Sequence, residues 1–301
     1  MAIQPSHPED AFLREAEAFA VDLARDAGRM LMGYFRRPLD VSYKSPGQRS
    51  PVTDADKAAE DFLQAAILKR YPDHVMLGEE GSGKDSPPAE FTWAVDPLDG
   101  TTNFLNGVPI FGSAIGLLWR GQPIVGVIFL PWPGQPDGFL FHARHGGGAF
   151  IGDDPIHVVP QPEPKPTGLV AVPASFRRMF HIPPKMRSRM GEFRGSGSIA
   201  YEMAMVACGS MQYALFTGPR IWDVAAGVVL VREAGGTVLE LHKRRWEPLK
   251  QFGVSPLPGQ EELRNWRLAE VAGNPQMVDF VTKTLHRRRQ LPFRRWLSKI
   301  K

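Results

Sequence analysis

Apolar residues recur at helical spacing near the start of the chain, at Phe12, Ala16, Phe19, Leu23, Ala27, Met30 and Leu31. That stripe predicts a long amphipathic helix over 8–35, with Pro38 just beyond its end. A second helix is predicted from Asp54 to about Arg70, opened by Thr53 with Asp56 three residues on. Strand-like runs follow at 75–77, 91–95, 111–118, 122–130, 138–142 and 148–151, the last four separated by turn residues in the manner of an antiparallel meander. A Pro-rich connector over 160–166 then changes the pattern. Beyond it we read strands at 168–172, 211–216, 237–241 and 267–272. Helices are read at 175–180 and 199–208, from Ile221 to Gly235-Gly236, and from Asn274-Pro275 onward. Residues 242–265 read as polar and irregular. A meander followed by alternating strands and helices predicts a layered mixed fold.

Composition adds bounds. The chain has 301 residues, 43% of them hydrophobic, enough apolar material for a large core in one domain or two packed halves. No apolar run is long enough to span a membrane. The start of the chain lacks the basic-then-apolar pattern of a secretory signal. Cytoplasmic placement is the expectation. The single cysteine, Cys208, excludes an internal disulfide and reads as a small core residue. His142 and His145, near a Gly-rich turn, read as surface residues rather than metal ligands. The net charge of +4 comes from the end of the chain: eight of the 36 Lys and Arg lie in 283–301 with no acid among them. Without that tail, 28 basic residues face 32 acidic ones, a net −4, so the body does not have the charge of a nucleic-acid-binding protein.

The stretch with the most chemistry is Trp93-Ala94-Val95-Asp96-Pro97-Leu98-Asp99-Gly100-Thr101-Thr102-Asn103-Phe104. A buried strand ends in two carboxylates, which suit a hard divalent cation such as Mg²⁺. Gly100 allows a tight turn, and Thr101-Thr102-Asn103 can begin a helix whose first N–H groups suit a phosphate. The alternative is an ordinary Asp-Gly turn with a capping Asp. Asp56 reads as a helix cap or as a carboxylate reaching a metal site. Glu79, in Gly78-Glu79-Glu80, is a solvated turn residue or, if its strand neighbours that of Asp96, a second donor to one ion. Asp223 opens a very apolar helix and, alone, reads as a cap. Ala225, Ala226 and Gly227 allow that helix to be closely packed.

Together, Gly78-Glu79-Glu80, Trp93 to Phe104, and Trp222-Asp223-Val224-Ala225-Ala226-Gly227 resemble the inositol monophosphatase family of Mg²⁺-dependent, lithium-sensitive phosphatases. Val52 to Asp56, Gly197-Ser198, Glu233 to Gly236 and Ala272 to Pro275 extend the resemblance across roughly 10–285. It implies a layered α-β-α-β-α sandwich; the expected unit spans 1–282, its two sub-halves meeting at the Pro-rich connector near 160–167, and the basic tail over 283–301 lies outside the resemblance. The resemblance implies a homodimer and two or three Mg²⁺ per site. Glu79, Asp96 and the carbonyl of Leu98 are expected at the first ion, Asp96, Asp99 and Asp223 at the second, and Glu79 again at a third. Thr101, bonded towards Asp56, is expected to orient the attacking water together with Glu79, and the N–H groups of Gly100, Thr101 and Thr102 to receive the phosphate. Phosphoryl transfer asks mainly for positioning and charge neutralisation, so in-line attack by a water activated at the metal site is expected, with no phosphoenzyme.

Substrate recognition departs from the family pattern. An acid seven positions before the Trp-Asp aspartate usually holds the inositol ring hydroxyls. Here that position is Phe216. Gly197, Ser198, Phe216 and Arg220 are the candidate substrate contacts. Inositol monophosphate or a similar sugar phosphate is the expected substrate class, with fructose 1,6-bisphosphate or another small phosphorylated metabolite as the alternative. The tail interleaves cations with Leu291, Phe293, Trp296 and Leu297. It reads as a solvated end, or as a weak contact for an anionic membrane or RNA. That second reading is the basis of a non-enzymatic, regulatory alternative.

Overall fold

The computed structural model describes residues 8–43, 51–83 and 85–287. Most of the tail, and the Tyr43–Pro51 loop apart from its two ends, lie outside the described residues. The first half comprises α1 (Asp10–Tyr34), β1 (Val41–Tyr43), β2 (Pro51–Thr53), α2 (Asp54–Arg70), β3 (Val75–Gly78), β4 (Phe91–Asp99), α3 (Thr101–Leu105), β5 (Gly112–Trp119), β6 (Gln122–Trp132), β7 (Gln135–Arg144), β8 (Gly148–Ile151) and β9 (Asp154–Pro155). The second half opens with β10 (Leu169–Ala171), α4 (Phe176–Met179), β11 (Phe180–His181), a 3₁₀ turn (Pro184–Arg189), β12 (Glu192–Arg194) and α5 (Ile199–Ala207). It continues through β13 (Tyr213–Thr217), α6 (Ile221–Glu233), β14 (Thr237–His242), β15 (Arg245–Pro248), α7 (Gln260–Asn265), β16 (Ala269–Gly273), α8 (Pro275–Thr284) and β17 (His286–Arg287).

Two sheets organise these elements. The first runs β3-β4-β5-β6-β7-β8-β9, parallel at β3–β4 and antiparallel after that; the second runs β12-β10-β13-β16-β14-β15. The apolar stripes of α1 and α2 pack on one face of the first sheet, around Trp93, Val95, Val127 and Phe129. On its other face α5 and α6 lie between the two sheets, in a core that includes Ile128, Met203, Val228 and Phe216. The outer face of the second sheet is covered by α4 and α8 through Phe176, Met277 and Val281. The result is the α-β-α-β-α sandwich. Every residue of β5 is buried, as expected of a strand with helices on both faces. Gly116 and Gly126 let the sheet approach α6: a Cβ at either would stand within 2.8 Å of Ala225 or Ala226 atoms. Gly227 does the same for α5, where a Cβ would meet Met203 at 2.5 Å.

Three local differences stand out. β4 runs four residues past Val95, to Asp99. Residues 242–265, read as irregular, contain β15 and α7; β15 is an edge strand, Arg245-Trp246-Glu247-Pro248, with no buried residue and so no apolar period to detect. His142 is not a solvated surface residue. Its ring nitrogens lie 2.7 Å from Glu17 Oε1 and 2.7 Å from the Gly152 carbonyl, and Arg144 reaches Glu17 at 2.8 Å. His145 is exposed, as expected.

Candidate active site

The site is built where β4 ends. In a regular strand, residues three apart point to opposite faces. Here Asp96 pairs with Ala114 and Asp99 with Gly112, so three steps on β4 oppose two on β5. This bulge supplies one extra residue and returns both carboxylates to the same side of the sheet. Gly100 then turns the chain with φ of 88°, and a Cβ there would lie 2.9 Å from the Ile110 carbonyl. Both features call for glycine, and the turn delivers Thr101 to the start of α3.

Asp56 is the cap of α2, and its second oxygen turns to Thr101. Its Oδ2 accepts from the Thr53 N–H at 2.7 Å and the Thr53 hydroxyl at 2.6 Å, completing a capping box on α2. Its Oδ1 accepts from the Thr101 hydroxyl at 3.1 Å. The same hydroxyl approaches the Leu98 carbonyl at 3.1 Å. Burial raises the Asp56 pKa, against the pull of these hydrogen bonds. Four residues on, and also buried on α2, Glu60 accepts from the Glu80 N–H at 2.7 Å and the Ser82 N–H at 2.9 Å. A Cβ on Gly78 would lie 2.5 Å from the Glu60 carboxyl carbon. The acid therefore holds the turn that carries Glu79.

The second half closes the site. Ser198, the N-cap of α5, donates its hydroxyl to Asp99 Oδ2 at 2.6 Å, and the Ala200 N–H reaches the same oxygen at 2.6 Å. Asn103 bridges from α3, its Nδ2 donating to the Ile110 carbonyl at 2.7 Å and the Ser196 carbonyl at 2.8 Å. Glu202 fixes the same loop by accepting from the Ser196 N–H at 2.7 Å. Asp223 stands in the first turn of α6 and accepts from the Arg220 N–H at 2.7 Å.

Electrostatics show how close these acids are. Asp96 and Asp223 are pushed far above the usual carboxylate range, by burial first and then by neighbouring carboxylates: Glu79, Asp99, Asp223 and Asp56 act on Asp96, and Asp99 and Glu79 on Asp223. Burial lifts Asp99 to about 7, against the pull of its hydrogen bonds from Ser198 and Ala200 and with a further push from Glu79. Among the described residues no three acidic, imidazole or thiolate groups form a closed ion cage. The donor set nevertheless fits a hard cation. Four carboxylates sense one another; Asp96 and Asp99 are buried and Asp223 is partly so, and there negative charge without a counter-charge is strongly disfavoured. Oxygen donors of this kind suit Mg²⁺ rather than a soft metal.

Of the expected substrate contacts, Gly197, Ser198 and Phe216 line a cavity of about 390 Å³ together with Asp223. Thr102 is exposed at the start of α3. Arg220 is absent from that wall: its guanidinium donates to the Arg264 carbonyl at 2.8 Å and lies over the Trp222 ring. Sequence reasoning gave no role to Asn103, Glu60, Glu202 or Arg264. Asp56 and Glu60, two acids at i and i+4 on the buried face of α2, are a signal that was present. Nothing in the sequence marks Arg264.

The sequence pattern of the inositol monophosphatase family matches residues 13–274. An inositol-1-monophosphatase of Mesorhizobium japonicum is 37% identical over 228 residues, covering 73% of this chain and 84% of that one. A fructose-1,6-bisphosphatase/inositol-1-monophosphatase of Aquifex aeolicus is 31% identical over 259 residues, 84% of this chain and 89% of its own. The crystal structure of the extragenic suppressor protein suhB of Bartonella henselae superposes with a TM-score of 0.71 at 29% identity, covering 90% of this chain and 98% of that one. The chain belongs to the inositol monophosphatase family and is a phosphatase.

Proposed function

We propose that the chain hydrolyses a phosphate monoester of a small metabolite, inositol monophosphate or a similar sugar phosphate, with Mg²⁺ as cofactor. The observation that supports this best is the set of mutually repelling carboxylates, the buried Asp96 and Asp99 and the partly buried Asp223, with Glu79 acting on all three. Glu79, Asp96, Asp99, Asp223 and the Leu98 carbonyl would hold two or three ions. Mg²⁺ there would neutralise charge on the phosphoryl oxygens and lower the pKa of water. The hydrogen of the Thr101 hydroxyl is directed to Asp56 and to the Leu98 carbonyl. Its lone pairs remain to accept from a water, which Thr101 and Glu79 hold in line with the phosphorus. The N–H groups of Gly100, Thr101 and Thr102 receive the phosphate, and the Asn103 bridge fixes this turn against the Ser198 loop.

Fructose 1,6-bisphosphate is the second candidate, because the Aquifex relative carries both activities in its name. Phosphate release from inositol 1-phosphate, fructose 1,6-bisphosphate and glycerol 2-phosphate, with Mg²⁺, with a chelator and with Li⁺, tests the reading. Mg²⁺-dependent, Li⁺-inhibited release is expected, and no release from any ester at saturating Mg²⁺ would refute it. Pairing into a homodimer is part of the proposal and is checked by sedimentation. The proposal gives the tail no catalytic part, so a chain ending at Arg287, which keeps β17 paired with β11, keeps full turnover and loses only a weak contact with anionic membrane or RNA.

A further inference from the structure

The cavity beside Asp223 bears on what the substrate's alcohol looks like. It is lined by Pro173, Ala174, Ile199, Phe216 and Pro219 as well as by Ser198, Thr217, Glu202 and Asp223. Its volume, about 390 Å³, is at the small end for ligand pockets and suits a single ring. The polar side chains in its wall are largely engaged within the protein. Ser198 gives its hydrogen to Asp99 at 2.6 Å. Glu202 accepts from both the N–H and the hydroxyl of Ser196, at 2.7 and 2.8 Å. The Thr217 hydroxyl is paired with that of Ser175 at 2.7 Å. Asp223 accepts from the Arg220 N–H and belongs to the ion-holding set.

Phe216 enters the wall from the end of β13, almost wholly buried in the core between the sheets. Its partner across the ladder is Glu270, but that acid is wholly buried, with neither carboxyl oxygen hydrogen-bonded, and takes no part in the cavity wall. The geometry points to an alcohol subsite that takes an apolar ring face, alicyclic, aryl or deoxygenated, in preference to the hydroxyl-covered ring of inositol. The physical reason is desolvation. Ring hydroxyls brought against Phe216, Pro173 and Ile199 lose their water partners and gain none, whereas C–H groups gain contact. Inositol 1-phosphate remains a substrate through its phosphate, bound weakly through its ring. The inference rests on the phosphatase reading above.

Cyclohexyl phosphate and inositol 1-phosphate share a six-membered ring and differ in its hydroxyls, so their KM values with the intact, Mg²⁺-loaded protein read this subsite. KM for cyclohexyl phosphate is expected to be at least about tenfold lower, a difference of ~1.4 kcal/mol. Equal KM values, or a lower one for inositol 1-phosphate, overturn the inference and leave the phosphatase reading standing. Release from neither ester, nor from the wider set of esters, overturns both. Phe216→Gln is expected to bring the two KM values together by raising the first and lowering the second. An unchanged ratio in a folded variant argues against Phe216 as the discriminating residue and overturns the inference. Should that variant not fold, the comparison on the unaltered chain still decides.

Discussion

Arg264 donates from Nη2 to the carbonyl of Gly78 at 2.9 Å, across 186 residues of sequence, and to the Ser82 carbonyl at 2.6 Å. It holds from one side the turn that Glu60 holds from the other. Glu79 sits inside that clamp. Arg264→Ala removes the donor for two carbonyls, at a cost of about 1–3 kcal/mol if they are left unsatisfied. Phosphate release at saturating Mg²⁺ is expected to fall roughly 10- to 100-fold, following that energy. The apparent Mg²⁺ requirement should rise with it. A variant with unchanged turnover and Mg²⁺ dependence would show that the clamp has no bearing on Glu79.

Asp99 and Ser198 join the two halves of the molecule at the site. Asp99→Asn keeps the shape and one acceptor but removes a charge from the proposed ion-holding set. Turnover is expected to drop by roughly 10³-fold or more, in the range seen when a principal charge-stabilising group is lost. Ser198→Ala removes one hydrogen bond to a carboxylate, worth about 1.5–3 kcal/mol, while the Ala200 N–H still holds the oxygen. Its loss of turnover should be clearly smaller. Steady-state rates of the two variants side by side check this order.

The carboxylate set makes a prediction that does not depend on activity. A cation that binds the folded chain and relieves repulsion among Asp96, Asp99, Asp223 and Glu79 raises the melting temperature in proportion to the logarithm of its concentration. Mg²⁺ is therefore expected to stabilise the protein in a thermal melt, and Asp96→Asn to reduce that response. A melt indifferent to Mg²⁺ up to tens of millimolar would count against the metal assignment.

Glu270 gives stability a pH dependence. Burial lifts its pKa from the usual 4.5 to about 8, with Arg232 pulling it down and Glu240 pushing it up. The folded chain therefore keeps this proton up to about pH 8, while the unfolded chain loses it near 4.5. Its contribution is fully present below 4.5 and declines as pH rises to about 8. Glu270→Gln keeps the shape without an ionisable group. The variant should match the parent near pH 4.5 and be more stable near pH 8, by a few kcal/mol at one pKa unit per ~1.4 kcal/mol. Denaturant unfolding at the two pH values measures it.

Much of this protein was legible in its sequence because the signals were local. The stripes of α1 and α2, the meander and the apolar α6 follow from periodicity, which needs only neighbours along the chain. Asp96, Asp99 and Gly100 stand within five residues, and the family resemblance added Glu79 and Asp223. What the sequence left open depended on distant contacts. It offered Asp56 as a cap or as a carboxylate reaching a metal site, and the fold showed a cap whose carboxylate gives one oxygen to Thr53 and the other to Thr101. It offered Arg220 as an anion contact, and the fold turned that guanidinium to the Arg264 carbonyl. It did not single out Arg264, because a lone arginine after a polar stretch has no period and no neighbour to identify it. The sequence by itself determined the order of the main elements and singled out the candidate acids. Tertiary packing decided which side chains hold those acids in place and what lines the cavity, because hydrogen bonds and burial depend on residues a hundred or more positions apart.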